Sequence, residues 1–209
     1  MAACAKHFPG HGDTSVDSHL ELPSLTHSRR RLDAVELPPF RAAVDADVAA
    51  VLVAHVAVPT LADPRDGDGA GGALPATMSR GALAVLRREM GYDGLVLSDD
   101  MEMGAISKHF GMGHAVVEGA AAGVDLFLVC HTEEKQVDAI GALRDAVLSG
   151  ALPFEALQAA GRRYDRVAQR YVRGPAGAPA GGGTLTIIGC QEHRNMVADI
   201  LRRGIAAKR

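Results

Sequence analysis

The chain of 209 residues has room for one domain and part of a second. With 47% hydrophobic and 22% charged residues it has the composition of a folded protein with a buried core, not of a disordered one. A net charge of -3 without a dense Lys/Arg run gives no electrostatic reason for nucleic acid or an anionic membrane as partner, and neither is expected.

The first predicted element is a strand over 2–8, and it runs into a stretch that dominates the sequence. Residues 6–19 (KHFPGHGDTSVDSH) hold three of the nine histidines together with Asp13 and Asp17, around a Pro-Gly core. Pro9, Gly10 and Gly12 disfavour a helix, so His7 and His11 do not share a helical face, which argues against a metal-binding histidine pair. Asp17 and His19, two residues apart in a loop, can pair carboxylate to imidazole. Such a carboxylate fixes the ring's tautomer and leaves the other nitrogen free to pass a proton. Without further context the same loop could be a structural turn.

Residues 32–48 read as a helix interrupted at Pro38 and Pro39. The run AAVLVAHVAV over 49–58 is apolar throughout except for His55, as suits a strand buried on both faces of a parallel sheet. Packing or support is the expected role of His55, not catalysis. Residues 59–75 form a long Gly/Asp/Pro-rich loop, after which Ser79 caps a helix that ends at Gly91. A third strand over 94–98 stops at Asp99-Asp100, a helix over 113–122 closes at Gly123, and a fourth strand spans 124–130. Helices over 133–149 and 154–171 complete the series. Residues 174–183 are a Gly/Pro/Ala linker, followed by a strand over 184–190 and a helix over 192–205.

Strands alternating with helices imply an α/β fold with a parallel sheet, whose chemistry sits at the carboxyl ends of the strands. Lys6-His7, His55 and Asp99 all fall there. Four strands cannot close a (β/α)8 barrel, so the pattern fits an open sheet or half of a barrel. Cys4, Cys130 and Cys190 are an odd number, and the first two, in apolar runs, are expected as buried free thiols. No apolar run reaches the ~20 residues that span a bilayer, and no targeting segment is recognised. The compartment stays open between cytoplasm, the first expectation, and secretion.

The motif KHFPGHGDTSVDSH, with Leu22-Pro23 after it, closely resembles the signature of the glycoside hydrolase family 3 β-N-acetylglucosaminidases. GLVLSDDMEMGAI over 94–106 resembles that family's nucleophile strand, and Ala54-His55-Val56 and residues 122–130 follow in the family's order. The likeness covers about 2–173. It implies a partial TIM-type (β/α)8 barrel, roughly the last four βα units, over 1–173, the linker over 174–183, and a truncated start of a second α/β domain over 184–209. It also implies a retaining glycosidase acting on terminal β-linked N-acetylglucosamine, as in peptidoglycan or chitin-fragment turnover. In that reading Asp99 is the nucleophile, His19 the acid/base, and Asp17 the residue that orients His19. Lys6, His7 and His11 bind the sugar, and no metal or organic cofactor takes part. The partner is then a small saccharide or muropeptide, with self-association through unpaired sheet edges a further expectation. Family members also use an Asp and Arg residues from the first half of the barrel, for which this chain has no counterpart. Two rival readings are a β-N-acetylglucosaminide phosphorylase and an inactive fragment.

Overall fold

In the computed structural model, residues 1–14, 16–66, 74–173 and 190–206 are described. The chain divides into two units, Met1–Val172 and Arg173–Arg209. Strands β1 (Cys4–Phe8), β2 (Ala50–Val53), β3 (Leu95–Asp100) and β4 (Leu126–Leu128) of the first unit form one parallel sheet in sequence order. Val51 and Val53 are fully buried, as the apolar run of β2 requires of a central strand covered on both faces.

The connection after β1 holds α1 (Arg29–Arg31), whose first turn is capped by the Ser28 hydroxyl, and continues as a helical turn over Leu32–Glu36. Helix α2 (Pro38–Asp45) follows. The two prolines open α2 instead of interrupting a longer helix, because a missing N–H costs nothing in a first turn. The expected strand over 49–58 is shorter in the ladder. Beyond Val53 the chain leaves β3 and bonds elsewhere: Ala54 N–H to Phe8 O, Ala57 N–H to Pro23 O and Ala76 N–H to Val56 O.

Helix α3 (Arg80–Ala84), extended through Val85–Glu89, begins at Ser79, whose Oγ accepts from Ala82 N–H, and the chain reverses at Gly91 with φ of +68°. A short helix not foreseen in the sequence, α4 (Gly104–Ser107), leaves β3. Helix α5 (Met112–Ala122) ends at Gly123, where φ is +121°, and β4 leads to α6 (Glu133–Leu148) and α7 (Phe154–Ala168). Phe8, Leu32, Leu37, Phe40, Val51, Val53, Leu83, Leu86 and Val96 pack as the main core. Met101, Ile106, Ala115 and Val116 make a second cluster above it.

Cys4 and Cys130 are exposed, contrary to expectation. Cys4 shares with Lys6 the face of β1 that is left uncovered, and Cys130 lies past the end of β4. In the second unit α8 spans Gln191–Ala206. The expected linker over 174–183 and residues 184–189 of the expected strand lie outside the described residues. Among the described residues no helix is long and apolar enough to cross a membrane.

Candidate active site

Lys6 and His7 leave the carboxyl end of β1, and Asp99 leaves that of β3. The loop after β1 brings His11, Asp17 and His19 to the same place, and all six of these side chains line one open cleft of about 1100 Å³. Asp99 is 21% exposed; its Oδ1 accepts from the Asp100 N–H at 3.0 Å, while Oδ2 faces His7 Nε2 at 3.8 Å, too far for a hydrogen bond. Burial lowers the His7 pKa, with the charge of Asp99 acting in the opposite sense. Among the described residues no side chain engages the ammonium group of Lys6, so this donor in the cleft is available to a ligand.

His19 Nδ1 lies 2.8 Å from Asp17 Oδ1, and the same oxygen accepts from the His19 backbone N–H at 2.9 Å. A carboxylate can only accept, so Nδ1 carries the proton and Nε2 is left to exchange one with a ligand. The two bonds, the backbone one foremost, hold the Asp17 pKa below the ordinary carboxylate value. With side chains 72% and 60% exposed, the pair stands in reach of water as well as of the cleft.

His11 is placed differently from Lys6 and His7. Its Nδ1 meets Thr14 Oγ1 at 2.9 Å and its Nε2 meets Ser18 Oγ at 3.0 Å, so both ring nitrogens serve the loop itself. Asp13 steadies the loop through its side chain: Oδ2 accepts from His27 Nε2 at 2.8 Å and lies 3.6 Å from Arg31 Nη2. Arg31 in turn pairs with Glu36 at 3.0 Å.

Two supports of the site have no local signal in the sequence. At the far end of the loop, Gly104 N–H and Ala105 N–H donate to His19 O and Ser18 O, both at 3.1 Å. A Cβ at position 104 would stand 2.5 Å from His19 O, so only glycine lets α4 approach this closely. The loop that carries Asp17 and His19 is thereby docked on the segment that follows Asp99. Asp100 has a different set of contacts from Asp99: its Oδ1 accepts from Glu102 N–H and Cys130 N–H, and its Oδ2 meets His131 Nε2 at 3.1 Å. Glu102 accepts from the Thr132 hydroxyl and from the His131 and Thr132 N–H groups, which holds its pKa well below the ordinary range and ties the turn before α6 to the end of β3. Among the described residues no group of three or more His, Cys, Asp or Glu side chains could hold a metal ion.

Fold and site together define an α/β-barrel protein with a carboxylate and a carboxylate-held histidine facing one cleft. Residues 1–167 match the glycosyl hydrolase family 3 N terminal domain, and the chain belongs to that family. The four βα units are part of a TIM-type barrel. It is 31% identical over 210 residues to beta-hexosaminidase A of Pseudoalteromonas piscicida, covering 96% of this chain and 35% of that protein. To the beta-hexosaminidase of Thiobacillus denitrificans it is 38% identical over 135 residues, 64% of this chain and 35% of the relative. Among solved structures, a glycoside hydrolase family 3 beta-N-acetylglucosaminidase from Paenibacillus sp. superposes with a TM-score of 0.77 at 43% identity, over 87% of this chain and 34% of that one. The chain thus spans about a third of the length of the relatives it matches.

Proposed function

We propose that this chain carries the nucleophile and the acid/base group of a retaining glycosidase that removes terminal β-linked N-acetylglucosamine or a similar N-acetylhexosamine. The observation that carries the reading is the Asp17–His19 pair, with the proton fixed on Nδ1, lining the same cleft as Asp99. Asp99 attacks the anomeric carbon through its free Oδ2, and the glycosidic C–O bond breaks as His19 Nε2–H protonates the departing oxygen. His19 then takes a proton from water, which attacks the same carbon and releases Asp99. Asp17 stabilises the imidazolium that exists before the first transfer and after the second. Lys6 and His7 hold sugar hydroxyls; His11, with both nitrogens engaged, acts on the sugar side by shaping the loop.

The names of the relatives support the substrate class, and peptidoglycan or chitin fragments are its natural sources. Residues 1–173 form the catalytic segment, and 184–209 begin a further domain. The test places residues 1–173 in the Paenibacillus enzyme in exchange for its matching segment. The hybrid is assayed on a chromogenic N-acetyl-β-glucosaminide, with products followed by NMR. Release of the β-anomer first is expected. Release of the α-anomer, or no turnover above an Asp99→Ala control in a folded hybrid, overturns the reading. Sugar 1-phosphate formed in phosphate buffer shows phosphorolysis instead of hydrolysis.

A further inference from the structure

We propose that His55 is a positioning residue for Asp99, acting through the backbone carbonyl of Asp100 as the neutral Nε2–H tautomer. The assignment rests on reading Asp99 as the nucleophile. His55 follows β2 and is 0% exposed, and it is not among the residues that line the cleft, so it does not touch a ligand there. Its Nε2 lies 3.0 Å from Asp100 O and its Nδ1 lies 2.7 Å from Thr77 Oγ1. A carbonyl oxygen only accepts, so Nε2 carries the proton. In a neutral ring Nδ1 must then accept, and Thr77 is the donor. Burial lowers the His55 pKa, against the effect of the Asp100 carbonyl, which favours the neutral ring that this geometry needs.

The grip matters because the ladder is weakest there. Pairing of β3 with β4 is regular at Leu97–Leu126 and resumes at Asp100–Leu128 with a shift in register between them, so the stretch carrying Asp99 is not aimed by regular strand pairing alone. The peptide group whose carbonyl His55 holds has on its other side Met101 N–H, which donates to Leu128 O of β4 at 2.8 Å, while the preceding peptide, between Asp99 and Asp100, donates its N–H to Asp99 Oδ1 at 3.0 Å. Thr77 and His55 thus fix the backbone of Asp100 from the core at its carbonyl, and the N–H of the same residue meets the attacking carboxylate. A leucine would fill the buried volume; the imidazole adds a donor aimed at one carbonyl.

The experiment uses the 209-residue chain labelled with 15N and 13C, as wild type, His55→Gln and His55→Leu. Gln can place an amide N–H where Nε2–H stands, whereas Leu keeps volume and removes the donor. At pH 7 the ring 15N shifts should show a protonated Nε2 and an unprotonated Nδ1. The Met101 amide, which shares its peptide group with the Asp100 carbonyl and donates to Leu128 O, should exchange with deuterium slowly in wild type and His55→Gln and about tenfold faster in His55→Leu, as the peptide loses its hold on one side, while Val51 to Val53 keep their rates. The Asp99 side-chain carboxyl 13C resonance should move only in the Leu variant. An Nδ1–H tautomer, an unchanged Met101 rate in His55→Leu, or acceleration shared by all β2 amides overturns the assignment. Should His55→Leu not fold, Thr77→Val is read in the same way, and an unchanged Met101 rate and Asp99 resonance there overturn it equally. None of these readouts depends on turnover, so the hydrolase reading and this one can fail separately.

Discussion

Asp99 and Asp100 are adjacent carboxylates with opposite surroundings. Asp99 keeps one oxygen facing the cleft, while both oxygens of Asp100 are taken by Glu102, Cys130 and His131. In an active hybrid, Asp99→Ala should lower turnover by about 10³-fold or more, because the covalent step has no substitute. Asp100→Ala should cost about 1 to 2 kcal/mol of stability from lost hydrogen bonds and much less in rate. Equal rate losses at the two positions would remove Asp99 from its role. For Asp17→Asn the expected outcome is a kcat lowered by about 10²-fold or more with KM little changed, since an amide NH₂ at Oδ1's place favours the wrong His19 tautomer. Steady-state kinetics at wild-type level in that variant would exclude Asp17 from the mechanism. What spacing made legible is that Asp17 and His19, two apart in a non-helical loop, can pair carboxylate to imidazole, as they do at 2.8 Å; a chemical role for them came from the family resemblance and not from the spacing. What the sequence could not tell was that His11 spends both nitrogens on Thr14 and Ser18. Nor could an apolar run reveal that Cys4 lies on an edge strand and is exposed.

At the scale of elements, the four strands were legible as apolar runs, and the helices over 80–89 and 112–122 from Ser79 at the start of one and Gly123 at the end of the other. The short α4 is invisible in this way, having four residues and no side-chain cap. Its importance lies in where it stands: its first two N–H groups hold the carbonyls of Ser18 and His19. In Gly104→Ala the added methyl meets backbone carbonyls of residues 19 and 20 at 2.5 and 2.7 Å, atoms that can move only with the whole loop. Near-normal stability with kcat/KM reduced by about 10-fold or more is expected, as a misplaced acid/base group predicts. Unchanged kinetics would show that the loop is placed by other contacts. At the opposite end of the sheet, Asp125 is 2% exposed, accepts from Val96 N–H, and pairs with Arg87 of the α3 extension and Arg163 of α7 at once. Removing this carboxylate in Asp125→Ala strands two cations, one of them largely buried, and should cost about 3 to 5 kcal/mol in denaturant unfolding. A loss under 1 kcal/mol would mean that water reaches the arginines. The network joins residues 38 positions apart, so no local pattern announces it.

For the molecule as a whole, the governing fact is that β1 and β4 each pair on one side only among the described residues. Beside β4, Val137, Ile140 and Leu148 of α6 are 63 to 78% exposed, and near β1 Val35 is exposed as well. Such edges and apolar faces favour association, because each 100 Å² of apolar surface left in water forgoes about 2.5 kcal/mol of a stability that is usually 5 to 15 kcal/mol. The chain also spans only about a third of the length of the relatives it matches. These 209 residues, expressed as they stand, should therefore sediment as more than a monomer at micromolar concentration and turn over an N-acetyl-β-glucosaminide orders of magnitude more slowly than the Paenibacillus enzyme. Sedimentation velocity, near-UV circular dichroism and the chromogenic assay on the same preparation decide the matter. Single substitutions Ile140→Asp and Val137→Asp should shift the sedimenting species toward monomer if α6 takes part. A cooperative monomer with turnover near that of the complete relative would show that four βα units are enough, both to fold and to hold the sugar.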